Sequence, residues 1–334
     1  MKNLKVQFKL IIYLFLFLSI PNVILAKNLD KFSNAEDISS YFSGILSIND
    51  NQYQKSYSYL KSLNNLEDVH YTYSQYYLFS LVTLNKLKAA AKYSKKLEEK
   101  KIDNFESNIV NAIYHLEDKD YKKTLFYLKK LENKNQPGSI QNLLFTSMNA
   151  WVNFKGTSNL NIALNHLDSI PKKFKNLTNI QKTFAYCYFD SPKTSQMFEQ
   201  LTSNSDVNYS RYLFFHSNYL ISKKNDKKTK EFIESSINQY PKNLKLNQLK
   251  LDFEKDKVFN NKFDCTKSTD VIAEILFIAS NALAVQKNYI GSNFYLSLAK
   301  YLNSEFISFD TLYAENFFLN KEYKEAKKMY TEIQ

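Results

Sequence analysis

In this 334-residue chain, catalysis or metal binding would fall to four histidines, two cysteines and scattered hydroxyls and acids. A zinc site needs such ligands at short repeated spacings, and a hydrolytic nucleophile needs a base beside it. His70, His115, His166 and His216 stand far apart, with no Glu or Cys at metal-binding spacing and no HExxH pattern. The four glycines occur singly, so they make neither a phosphate-cradling loop nor a dinucleotide fingerprint. The hydroxyls of FDSPK and FKGTS lack a neighbouring base, and the acidic clusters LEEKK and LEDKD suit solvated helix ends. No catalytic residue, cofactor site or metal ligand is assigned, and the chain reads as non-enzymatic.

What remains is architecture. Tyr and Phe together supply 51 residues (25 plus 26), while Gly and Pro total only 9. So few turn formers argue against a sandwich or barrel and for long helices with short polar connections. The net charge is +12, yet Arg211 is the single arginine among 45 basic residues. Base readout relies on the planar arginine fork, which a lysine ammonium cannot replace, so nucleic acid is not expected as a partner. The lysines alternate with acids, as in KLEEKKIDNFE, and read as a solvated helical surface.

The amino terminus has a different character. Lys2, Lys5 and Lys9 precede an apolar run from Leu10 to Ile20, followed by Pro21, Asn22 and VILA. This is the pattern of a secretory signal peptide spanning 1–26 and cleaved after Ala26, the alternative being an uncleaved anchor. Either way the rest of the chain is exported, to the periplasm or envelope of a Gram-negative-type bacterium, and no other membrane embedding is expected. A short linker, 27–36, follows.

A 34-residue period organises the remainder. Tyr53, Leu87 and Tyr121 are spaced by 34, as are Tyr289 and Tyr323, and Leu160 joins after a five-residue slip. Three residues after each anchor stand Ser56, Ala90, Thr124, Ala163, Ser292 and Ala326, all small. Six after stand Tyr59, Tyr93, Tyr127, His166, Tyr295 and Met329; ten after, Leu63, Leu97, Leu131, Ile170, Ala299 and Ile333. Nine before, Gly44, Ala112, Ser280 and Ala314 are small, whereas Leu78 and Trp151 are not. Offsets of three, four and seven share one helical face, and small residues let paired helices approach closely. One hairpin cannot bury its apolar face alone, so copies must stack.

On these residues the chain resembles the tetratricopeptide repeat family, whose unit is a 34-residue helix–turn–helix. The resemblance implies an all-α, right-handed solenoid of antiparallel helix pairs over 37–334. Its copies would span about 37–66, 71–100, 105–134, 144–171, 176–203, 210–243, 268–303 and 307–334. The family's early tryptophan is missing, and its closing proline occurs only as Pro241. Residues 172–209 read as a hairpin with Pro192 in its turn, and 244–267 as one helix and a polar loop. In a stacked array each unit touches only its neighbours, so Cys187 and Cys265, roughly two hairpins apart, are expected to be unpaired thiols.

The resemblance also implies that a protein or peptide partner lies in a concave groove lined by the first helix of each pair. Arg211, Phe214, Asn218, Phe277 and Asn281 fall where such lining is expected. The function expected is that of a non-catalytic envelope scaffold or adaptor. Two alternatives stand beside it. The final helix leaves Met329, Tyr330 and Ile333 on an apolar side, which suits a fragment of a longer protein, such as the helical superstructure of a lytic-transglycosylase-like enzyme. Lysine-mediated binding to anionic envelope polymers is the other.

Overall fold

The structure, a computed structural model, describes residues 32, 34–63, 66–132, 136, 138–154, 157–203, 210–224, 226–255 and 263–333. The expected signal peptide and its cleavage site lie outside them. Among the described residues there are seventeen α-helices and no strand, as the all-α reading expects. Helix α1 (Ala35–Asn49) pairs with α2 (Tyr53–Lys61), α3 (Tyr71–Thr83) with α4 (Leu87–Glu99), and α5 (Phe105–Glu117) with α6 (Tyr121–Glu132). Next come α7 (Ile140–Asn153) with α8 (Leu160–Leu167), α9 (Lys175–Tyr188) with α10 (Thr194–Thr202), and α11 (Ser210–Ser222) with α12 (Asp226–Gln239). A single helix, α13 (Leu244–Glu254), precedes the last two hairpins. These are α14 (Ser268–Val285) with α15 (Tyr289–Leu302), and α16 (Ser308–Leu319) with α17 (Tyr323–Ile333).

All six anchors are the first residue of a helix, opening α2, α4, α6, α8, α15 and α17. The turn chemistry explains why for five of them. Two residues earlier, Asn51, Asn85, Lys119, Lys287 and Lys321 adopt left-handed backbone with φ from 54° to 67°. The following N–H then reaches back five residues: Lys86 donates to the Leu81 carbonyl at 2.9 Å, and Asn288 to that of Leu283 at 2.9 Å. This is the Schellman reversal, normally closed by glycine. Here asparagine and lysine close it at a conformational cost of about 1 kcal/mol each. Sharp reversals are thus made with few glycines.

The small residues mark the helix crossings. Ser56, Ala90, Thr124, Ala163 and Ser292 have no exposed surface. A Cβ on Gly44 would come within 2.5 Å of Leu60 Cδ2, so α1 lies directly against α2. In the α14–α15 hairpin the Ser280 hydroxyl donates to the Ser292 carbonyl at 2.7 Å. The aromatic position is less uniform: Tyr93, Tyr127 and Tyr295 are buried, whereas Tyr59 and His166 are exposed.

The long-range arrangement departs from a neighbour-only array. Helix α15 packs on α3 and α5, while α14 packs on α7 and α9, so one late hairpin lies across the first helices of four early pairs. Phe79 of α3 stacks on Phe294 of α15 with ring centroids 4.3 Å apart. Asn293 Nδ2 donates to the Tyr53 hydroxyl at 2.8 Å, and that hydroxyl donates to Asn51 Oδ1 at 2.7 Å. Asn316 of α16 completes this buried cluster by donating to Asn293 Oδ1 at 2.7 Å. Near the surface Asn320 Nδ2 reaches the Asn49 carbonyl at 3.4 Å, bringing the end of α16 to the end of α1. Helix α14 is long and apolar enough to cross a membrane, but here it is a core helix buried on several sides.

This closure corrects one expectation. Cys187 and Cys265 form a disulfide, with Cα atoms 5.8 Å apart. Counting hairpins along the chain overestimated their separation, because the segment entering α14 turns back onto the end of α9. The bridge closes a loop with a sequence separation of 78 and ties the inserted hairpin to the early repeats.

Candidate functional site

The five residues expected to line a groove do not form one open surface. Arg211, at the start of α11, is committed inside the protein. Its Nε and Nη2 donate to the two carboxylate oxygens of Glu274 on α14, each at 2.7 Å. Its guanidinium lies 3.9 Å from the ring centre of Phe277, with Phe215 and Phe306 also within cation–π range. Phe214 is buried against Phe306. Asn218 is half-buried beside the disulfide, and Asn281 is exposed on α14. The fold therefore unites Arg211 with Phe277 and leaves Asn218 and Asn281 elsewhere. Lys245 of α13 sits by the same ion pair, where burial and then the Arg211 charge pull its ammonium down to about 7.

The histidines serve as aromatic filling or lie at the surface. His115 stacks on Tyr127 at 5.7 Å. His216 is fully buried between Phe198 and Phe232, and neither ring nitrogen has a hydrogen-bond partner among the described residues. Burial, with Lys228 nearby, pushes its pKa down to about 3, so the ring is neutral. Among the described residues no group of three or more His, Cys, Asp or Glu is placed to hold a metal ion.

Among the described residues, three buried glutamates were not singled out by their sequence. The only hint was an acid inside an apolar run, as in VIAEILF. Glu274 has 0% exposure and is paired with Arg211. Glu67, 5% exposed, accepts from Lys96 and from Lys100 at 3.1 Å. Burial alone would raise Glu67, but the two ammonium groups bring it below the usual carboxylate range. Glu106, on α5, is 8% exposed and receives its own backbone N–H and the Gln141 amide, the latter at 3.3 Å; burial outweighs both and pushes its carboxyl up.

Glu106 faces a cavity of about 560 Å³ where the α14–α15 turn meets α3, α5 and the start of α7. A second cavity, about 740 Å³, lies beside the disulfide and includes Asp190, Asp264 and Asp270. There the Asp264 N–H donates to Asp270 Oδ2 at 2.9 Å, and burial raises Asp270 to about 6.

The outer surface offers a third feature. On α1, Ile38, Phe42 and Leu46 are 43%, 58% and 63% exposed. Their spacing of four places them on one helical face, opposite the face that buries Gly44 and Ile48. The first turn of α1 carries Glu36 and Asp37, and the helix contains no lysine. At the junction with α1, Phe318 and Leu319 are also exposed. No protein-family model matches the chain, and no curated protein matches it.

Proposed function

We propose that this protein is a non-catalytic interaction scaffold of the tetratricopeptide type, exported to the bacterial cell envelope, which docks a protein partner on the exposed face of α1. The architecture envisaged is a right-handed α-solenoid curled around its own α14–α15 hairpin. Supporting it are the helix starts at 34-residue intervals and the buried small residues at each crossing. The inner face, where the family resemblance would put a peptide, is occupied by α14 and α15, so the docking surface is assigned to α1.

The observation carrying this reading is the apolar stripe of Ile38, Phe42 and Leu46. Side chains of this size contribute roughly 1.5–3 kcal/mol each when fully buried, enough to form the centre of an interface. The acidic first turn favours a partner whose rim is basic. Affinity capture from envelope fractions tests the assignment, comparing the wild-type chain with a Phe42→Asp/Leu46→Asp variant of matching helical circular dichroism. A partner retained by the wild type and lost by the variant is expected. Identical capture by both proteins would overturn it.

A further inference from the structure

We infer that the cavity facing Glu106 is a binding site for an organic cation, a primary ammonium group on an apolar stem. The inference is independent of the α1 face, and either can fail alone. It begins from a contrast among three carboxylates. Glu67 has two lysine partners and Glu274 has an arginine, whereas among the described residues no cation pairs with Glu106. Among the described residues no basic side chain lines this cavity, and Glu106 is the one acidic residue that does. The Gln141 amide and the backbone N–H of Glu106 are neutral donors and bring no opposite charge to a desolvated carboxylate. An incoming ammonium group would supply both the missing charge and the missing donors.

The surroundings suit the rest of such a ligand. Phe79, Tyr295 and Leu283 offer apolar surface to an alkyl stem, and Gln75 and Asn288 offer amides to polar groups at its far end. The volume lies within the range of small-ligand sites, roughly 300–1,000 Å³. Neutral ligands could use the amides and rings but would leave Glu106 without its counter-charge.

Ile140 and Ile290 line the cavity and report on it directly. Methyl NMR spectra of the full chain labelled at isoleucine would be titrated with N-acetyl-lysine methylamide, its norleucine analogue, 1,5-diaminopentane and di-N-acetylchitobiose. The lysine probe or the diamine should shift the Ile140 and Ile290 signals, and the two neutral probes should not. Whichever cation binds more tightly distinguishes a partner's lysine side chain from a free amine. Glu106→Gln, which keeps the amide-bonded shape, should weaken cation binding about tenfold or more. Equal binding of norleucine, preference for the disaccharide, undiminished cation binding by Glu106→Gln, or unmoved Ile140 and Ile290 signals with both cations would each overturn the inference. The comparison of lysine with norleucine uses only wild-type protein, so it stands even if the variant misfolds.

Discussion

Replacing His216 with phenylalanine should remove a large part of the acid sensitivity of this fold. The imidazole is enclosed by Phe198 and Phe232, with no hydrogen-bond partner for either nitrogen among the described residues. Its pKa is about 3 in the folded chain, against an ordinary value of 6.5. Between those values the unfolded chain binds a proton that the folded chain does not, so stability falls as pH falls. From pH 6 to pH 4 this single group should cost about 2.5 kcal/mol. Asp270 and Glu106 act with the opposite sign, because their raised carboxyls bind protons first in the folded state. They are common to both proteins and cancel in the difference. Urea unfolding at pH 6, 5 and 4, followed through the buried Trp151, should give a wild-type curve that falls more steeply than that of His216→Phe. Any overpacking by the larger ring shifts the variant equally at each pH and leaves the slope untouched. A slope difference below about 0.5 kcal/mol over this range would refute the account of His216 as a buried neutral ring.

Three further sets of substitutions test the closure and the turns. Arg211→Met leaves the Glu274 carboxylate buried without its fork and should cost about 3–5 kcal/mol in denaturant unfolding, most of it recovered by adding Glu274→Leu. Removing the disulfide as Cys187→Ala/Cys265→Ala should lower stability by about 4 kcal/mol, given the long loop it closes, and peptide mapping of the wild type without reductant should recover the linked pair. Asn85→Gly and Lys287→Gly should each raise stability by about 0.5–1 kcal/mol, because glycine takes the left-handed conformation without strain; a decrease in thermal midpoint would contradict the turn assignment.

Much of the local structure was legible. A small residue three places after each anchor marks where two helices touch, and those positions are buried from Ser56 to Ala326. The turns were harder to see, because Lys119, Lys287 and Lys321 occupy positions where glycine would have announced the reversal. The candidate site was the least legible part. Arg211 was noticed as the single arginine, but its partner stands 63 residues away, and Glu106 looked like any other acid near a helix start.

By itself the sequence determined which segments are helical, where the second helices begin and which residues meet within each hairpin. These properties depend on spacings of a few residues, which a periodic pattern records directly. Only the tertiary structure decided that α14 and α15 lie across the early first helices, that Cys187 meets Cys265, and that Glu106 is buried with no cation paired to it among the described residues. Those contacts depend on small rotations accumulated from one hairpin to the next, and no short stretch of sequence encodes their sum.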